Sequence, residues 1–353
     1  MIRENTPLHR KVEPVGENQP FLLEPAGKDY LWGGTRLKDD FGKQIPLEIL
    51  AETWECSTHP DGLSIVRSGI HTGKTLAQVL QENPQYLGSN HRETACQSDE
   101  SQGGDGQLPI LIKFIDAREN LSIQVHPDDT YAGEHENGAR GKTEMWYVLD
   151  AASEAELIYG LRWDMDKETL KKELQKGTVQ KYLQKVKIKA DDVFYLEAGT
   201  IHAIGAGALI AEIQENSNLT YRLYDYDRVD KQGKKRPLHV EKALDAANLK
   251  SSAKPVQPMR VLKYTRGFAS ELLCRCQYFQ VERVLLNTEC NPEMVSYHTG
   301  LHSFEVLLCI KGCGVLFFKD STLTFGKGDC VFVPASSVLI KIHGNAQLLK
   351  VRC

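Results

Sequence analysis

Four side chains have the types and spacing that hold a transition metal: Gln124, His126, Glu144 and His202. Gln124 and His126 alternate around Val125, so in a strand both point to the same face. Glu144 leads into Met145-Trp146-Tyr147-Val148-Leu149, a β-prone run that would carry the carboxylate into a sheet. Val193 to Leu196 reads as another strand, followed by a turn at Gly199 and then His202. Either imidazole alone could be a satisfied core histidine, and Gln124 an ordinary amide. Glu144 is different, because a buried, unpaired carboxylate is costly and a metal would keep it ionised. Nitrogen and oxygen ligands without a thiolate point to zinc first, with manganese, iron or cobalt open. A mostly neutral ligand set leaves the ion a good Lewis acid.

Cations surround this set. Lys142 lies two residues before Glu144, on the same face if the strand extends that far, and suggests an anionic ligand or intermediate. Arg222 and Arg228 fall in a tyrosine-rich segment, where they either meet a substrate or pair with Asp225 and Asp227. Lys113 interrupts the apolar run Leu108 to Ala117, which implies ligand contact or a snorkelling position at a sheet edge. Lys113, Ser122 and Arg228 could together receive a phosphate without a P-loop. There is no Gly-rich nucleotide loop and no evident Ser-His-Asp set.

The elements that must position these groups are mostly strands. Phe21-Leu22-Leu23 opens order, the Gly33-Gly34 pair marks a turn or close backbone approach, and Ala51 to Cys56 alternates as a strand. Leu76 to Leu80 reads as a short helix stopped at Asn83-Pro84. Lys167 to Gln184 looks helical, with Leu170, Leu174 and Leu183 as its apolar stripe and Gly177 weakening or dividing it. Residues 239–249 form another short helix, and the rest to the C-terminus is strand and turn. A weak repeat relates Lys189 to Leu196 with Gly326 to Pro334, and Thr143 to Leu149 with Ser303 to Cys309. Two copies of a strand, Gly-turn, strand unit imply two related small barrels. The second copy lacks a histidine equivalent to His202, so one barrel looks metallated and the other structural.

The chain of 353 residues, with 25% charged residues and a net charge of −4, has no basic excess to suggest nucleic acid. No apolar run is long enough to cross a bilayer, and no signal peptide is evident at the N-terminus. Nine cysteines without a Cys-x-x-Cys pair read as reduced thiols of a cytoplasmic protein, mostly buried.

The combination of Leu31-Trp32-Gly33-Gly34, Glu52-Thr53-Trp54, Ile112-Lys113, Leu121-Ser122-Ile123-Gln124-Val125-His126-Pro127, Gly141-Lys142-Thr143-Glu144-Met145-Trp146-Tyr147, Gly199-Thr200-Ile201-His202-Ala203 and Tyr221 to Arg228 resembles the type I mannose-6-phosphate isomerases, in their short bacterial form. The resemblance implies a mainly β fold of two cupin-like, jelly-roll-type barrels with a few short helices. It implies one zinc ion per chain held by Gln124, His126, Glu144 and His202, and interconversion of mannose 6-phosphate and fructose 6-phosphate through an enediolate. Arg222, Lys142 and Glu212 occupy catalytic positions of the family, and Ser122, Lys113 and Arg228 positions associated with the phosphate. Glu197-Ala198-Gly199 stands where the family usually has Pro-Ala-Gly, which could alter the turn carrying His202.

The expected organisation is a polar arm at 1–20, a catalytic unit at 21–250 with a mobile surface loop at 88–107, a linker at 251–258 and a metal-free barrel at 259–353. Expected partners are a sugar phosphate, with no nucleic acid or membrane, in a monomer or dimer. Two other hypotheses are a different metal cupin acting on a small anion and a sugar-sensing cupin without turnover. Lys142, Glu212 and Arg222 together argue against a pure sensor.

Overall fold

The computed structural model describes residues 16–90, 106–230, 232–289 and 293–353. Most of the loop expected at 88–107 and of the arm at 1–20 lies outside these residues. The fold is mainly β, in three antiparallel sheets. A six-stranded sheet runs Val193–Leu196, Glu144–Ala151, Ala208–Glu215, Ile110–Ala117, Glu52–Cys56, Ala26–Lys28. A five-stranded sheet runs Tyr221–Tyr224, Ile123–Val125, His202–Ile204, Glu156–Leu161, Leu183–Lys187. The two sandwich a core of Trp146, Val148, Leu157, Val186, Ile204 and Ile210. They form a jelly-roll-like pair that stays open at its edges rather than closing into a barrel.

A ten-stranded sheet carries the C-terminal part of the chain. Its strand Cys330–Val333 pairs with Phe21–Glu24, which in turn pairs with Ile65–Val66. The first ordered strand therefore crosses to the C-terminal sheet instead of opening the six-stranded one. Alternation explains how the large sheets pack. Ile110, Ile112 and Phe114 face Val306, Leu308, Phe332 and Leu349 in one continuous core. The intervening Lys113 is left pointing to the opposite face. Leu307, Val331, Val333, Ile340 and Leu348 fill a separate core on the far side of the ten-stranded sheet.

The helices are short. Leu76–Glu82 starts at a Thr75–Gln78 capping box, and Val240–Ala246 lies within the expected 239–249. Lys167–Gln175 ends before Gly177, whose φ of 69° terminates the helix. Leu183 consequently belongs to the strand Leu183–Lys187 and not to the helical stripe expected for it. All seven cysteines among the described residues are free; Cys313 is exposed rather than a core residue. No helix among the described residues is long and apolar enough to cross a membrane.

The repeat is a repeat of register. Leu196 lies opposite Glu144, and Val333 lies opposite Glu305. Three residues beyond each partner the chain turns through a positive φ, 86° at Gly199 and 53° at Ser336.

The six-stranded and ten-stranded sheets are tied by a buried ion pair. Lys43 Nζ lies 2.6 Å from Glu55 Oε2 and donates to the Gly328 carbonyl at 2.6 Å, while Thr53 donates to the other Glu55 oxygen. Glu55 is fully buried, so removing its cation strands a charge. Lys43→Met is expected to cost about 3–5 kcal/mol in urea unfolding, and Lys43→Met/Glu55→Gln clearly less. Equal losses in the two variants would show that the pair is not what holds this seam.

Candidate metal centre and active site

The register of each sheet sets one row of functional side chains. On the six-stranded sheet Trp54 lies opposite Lys113, Lys113 opposite Glu212, and Glu212 opposite Trp146. On the five-stranded sheet Arg222 lies opposite Gln124, Gln124 opposite His202, and His202 opposite Tyr159. Directly opposed residues share a face, so each sheet presents its row to the space between them. Glu144 sits one step along from the first row, opposite Gln214.

His126, Glu144 and His202 are buried, and their ligand atoms all lie within 4.8 Å of one another. His126 Nε2 is 3.1 Å from Glu144 Oε1, and His202 Nε2 is 3.8 Å from Glu144 Oε2. Each imidazole donates its other nitrogen to a backbone carbonyl, His126 Nδ1 to Leu219 at 2.7 Å and His202 Nδ1 to Thr200 at 2.8 Å. This fixes both tautomers with the Nε2 lone pair aimed at the carboxylate, the orientation that metal-ligating histidines adopt. The Gln124 amide reaches to 3.4 Å from His202 Nε2. A half-turn of that amide presents oxygen in place of nitrogen.

Glu144 tests whether these residues suit a metal. Both of its oxygens are buried, and neither accepts a well-formed hydrogen bond. Burial alone would raise its pKa, but Lys142, with Nζ at 2.7 Å, and His126 outweigh burial and hold it well below the usual carboxylate range. Burial and the Lys142 ammonium push His126 down to about 3, and His202 is lowered mainly by burial. An ionised carboxylate beside two neutral imidazoles is a donor set for a divalent transition metal.

Lys142 lies just before the strand, pinned by its N–H to the Pro127 carbonyl at 3.0 Å, and its ammonium still reaches Glu144 and His126. Glu212 accepts from Trp146 Nε1 at 2.9 Å and pairs with Lys113 at 3.3 Å; burial and then the neighbouring Glu144 raise its pKa. Lys113 is interior, so the snorkelling edge position does not hold. Its ammonium lies 3.7 Å from Glu52 and 4.9 Å from the centre of the Trp54 ring. Burial disfavours its charge, yet Glu52 and Glu212 raise its pKa.

Arg222 does not pair with Asp225, which binds Arg228 and Arg236 instead. The Arg222 Nε is buried without a hydrogen bond, and burial followed by Arg236 lowers its pKa. Ser122 is buried two residues before Gln124, on the same face. Arg228 donates to the Asn120 carbonyl at 2.6 Å. Lys113 is thus drawn to Glu212, while Arg228 is held by Asp225 near the Ser122 strand.

Several contributors were not assigned from sequence. Glu52 accepts from Trp54 Nε1 at 2.8 Å and steadies Lys113, a role that its alternation with Trp54 would have suggested. Tyr30, which packs against Trp32, is pushed up to about 12 by burial and Glu52, with Lys113 and Arg222 acting in the opposite direction. The Leu219 and Thr200 carbonyls carry no side-chain signal. Gly33 and Gly34 do mark close approaches, since a Cβ on Gly34 would meet the Asp116 carboxylate at 2.3 Å.

The chain matches phosphomannose isomerase type I, catalytic domain, over residues 21–158, and mannose-6-phosphate isomerase, cupin domain, over residues 270–353. Mannose-6-phosphate isomerase of Streptococcus mutans is 40% identical over 331 residues, 94% of this chain and 97% of that protein. The chain belongs to the type I phosphomannose isomerase family. ManA of Bacillus subtilis, a mannose-6-phosphate isomerase, is 36% identical, with 94% of this chain and 98% of that protein aligned. A crystal structure of mannose 6-phosphate isomerase from Bacillus subtilis matches with a TM-score of 0.83 at 36% identity, covering 94% of this chain and 99% of that one.

Against that family background, Glu197 does not disturb the turn that carries His202. Gly199 N–H donates to the His126 carbonyl at 2.8 Å and Thr200 N–H to the Glu197 carbonyl at 3.1 Å. Both bonds are backbone bonds, indifferent to the side chain at 197.

Behind the site Glu215 clamps Thr143 twice, accepting its N–H at 2.8 Å and donating to its carbonyl at 3.1 Å. Burial pushes the Glu215 carboxyl from 4.5 up to about 7, although the Thr143 N–H favours its charged form. A carboxyl raised in the folded state holds its proton there after the unfolded chain has lost it. Stability from this group is therefore full below about 4.5, falls as pH rises to about 7, and is level above. Glu215→Gln should flatten that decline in denaturation midpoints taken across the window. An unchanged slope would assign the decline to other groups.

Proposed function

We propose that this chain interconverts mannose 6-phosphate and fructose 6-phosphate, with one zinc ion held by Gln124, His126, Glu144 and His202. Most of the weight rests on Glu144, a buried carboxylate kept ionised by Lys142 and faced by two neutral imidazoles, on a sheet that faces Arg222 and carries Glu212. A bound zinc would supply Lewis-acid stabilisation of negative charge on a substrate oxygen.

The remaining work falls to the chain's own groups. Aldose–ketose isomerisation moves a proton from C2 to C1 through an enediolate, while a hydroxyl proton passes from O2 to O1 and the carbonyl shifts from C1 to C2. Glu212 is assigned as the carrier. Its raised pKa moves it toward the range in which a carboxylate can both take and return a proton, and Trp146 and Lys113 fix its orientation. Arg222, opposite Gln124 and without a carboxylate of its own, faces the developing oxyanion. Lys142 keeps a second positive charge at the Glu144 end. Ser122, Arg228 and Lys113 are assigned to the phosphate, the Lys113 charge being shared with Glu52 and Glu212. Lys113, Ser122, Lys142, Glu144 and Glu212 are buried, with Arg222 and Arg228 partly so, and the exclusion of water strengthens the charge interactions among the buried groups.

A coupled assay of fructose 6-phosphate formed from mannose 6-phosphate should show turnover that chelation abolishes and zinc restores. No turnover in protein carrying one zinc per chain would sink the proposal. Glu212→Gln is expected to lower kcat by about 10²–10⁴ with zinc content unchanged. Near-normal kcat in that variant, with collapse in Lys142→Ala, would move the proton-carrying role to Lys142. Arg222→Ala should lose activity while retaining sugar-phosphate binding, which separates an enzyme from a sensor.

A further inference from the structure

The end of the C-terminal sheet that corresponds to the metal site is polar and open. Glu305 occupies the register position of Glu144, opposite Val333. It continues the face of Leu307 and Cys309, which line the inner core there, as Glu144 continues the face of Trp146 and Val148. Across the neighbouring strands Arg275 lies opposite Gln280, and Gln280 opposite Arg352. Val306 lies opposite Val351, so Glu305 and Arg352 are neighbours one step further along. A cavity of about 390 Å³ opens at this row, with Arg275, Gln280, Glu305 and Arg352 in its wall. That volume is within the range of small-molecule sites, about 300–1,000 Å³.

Two features call for an occupant. Glu305 Oε2 and the Tyr297 hydroxyl are buried against each other without a well-formed hydrogen bond, and no other side chain among the described residues completes either. Burial raises the Glu305 pKa, and Lys350 and Arg352 only partly offset it. The two arginines are also under-used. Arg275 has no carboxylate partner among the described residues, and the nearest to Arg352 is Glu282 at 3.9 Å. Glu282 is already taken by Lys350 at 2.9 Å. The occupant is not a metal on His, Cys, Asp or Glu ligands, because among the described residues only His126, Glu144 and His202 have such spacing.

We propose that this cavity is a second ligand site, taking a small hydroxylated anion of the sugar-phosphate class. The phosphate would meet Arg275 and Arg352, whose guanidinium groups suit bidentate contact, and a sugar hydroxyl would donate to Glu305. The site stands apart from the catalytic one and does not depend on the isomerase assignment.

The test is equilibrium dialysis of radiolabelled glucose 6-phosphate against the zinc-loaded full chain, with mannose 6-phosphate turnover followed in parallel. Arg275→Ala/Arg352→Ala should lose one binding equivalent per chain with turnover intact. Glu305→Gln, which keeps the side-chain volume, should weaken the same equivalent at least tenfold, the scale of a lost hydrogen bond to a charged group. Inorganic phosphate should compete for that equivalent more weakly than glucose 6-phosphate. Unchanged stoichiometry and affinity in both the double variant and Glu305→Gln would overturn the proposal. Loss of turnover in unmodified protein would count against the isomerase reading alone.

Discussion

The desolvation of Glu144 is the constraint on which the rest of the site depends. A carboxylate removed from water needs compensation of several kcal/mol from its surroundings. Lys142 supplies part of it at 2.7 Å, and two imidazoles are turned toward it with their Nδ1 protons committed elsewhere. Those commitments explain apparently remote features. The Leu219 carbonyl has to lie beside His126, so the chain must arrive there after leaving the strand Ala208–Glu215. Glu215 and Thr143 then brace the entry to Glu144 from behind.

Sheet register does the positioning. Glu212, Lys113 and Trp54 come from three strands far apart in sequence, yet each pair is directly opposed. The row alternates aromatic, cation, anion, aromatic, so every charge has an opposite charge or an indole dipole beside it. Burial of such a row is tolerable only when it is fully matched. A one-residue slip in any of these strands would turn its member into the apolar core behind. That core, with Phe114, Met145 and Leu308, penalises the slip and so sets the geometry of the candidate site.

The candidate metal group of His126, Glu144 and His202 was legible because its signal is local. Gln-x-His on one strand and a lone Glu before an aromatic run survive without any knowledge of pairing. The repeat was legible for the same reason, through the Gly-Asp turn and the following strand. What could not be read was anything that depends on which strands meet. Phe21–Glu24 looks like the opening of the first unit, but its choice of Cys330–Val333 as partner is a non-local contact. Lys113 looked ambiguous because a basic residue in an apolar run has the same pattern at an edge and in an interior row. Only its neighbours, Glu52 and Glu212, decide between the two. Asp225 illustrates the limit at shorter range: three arginines lie close to it in sequence, and the turn geometry gives it Arg228 and Arg236 while leaving Arg222 unclaimed.

The two copies of the repeat show how little separates a metal centre from a polar mouth. Both place a glutamate opposite the last residue of the following strand, and both turn through positive φ three residues later. Three residues past Gly199 stands His202; three past Ser336 stands Leu339. Without that imidazole the second glutamate lacks the partner with which Glu144 could share a metal, and it stands beside the apolar Leu307 and Val333. Retaining a buried, unsatisfied carboxylate costs stability. Tyr297, Lys350 and Arg352 offset part of that cost, and the proposed anion, bringing a hydroxyl donor to Glu305 and a phosphate to the bordering arginines, would offset more of it.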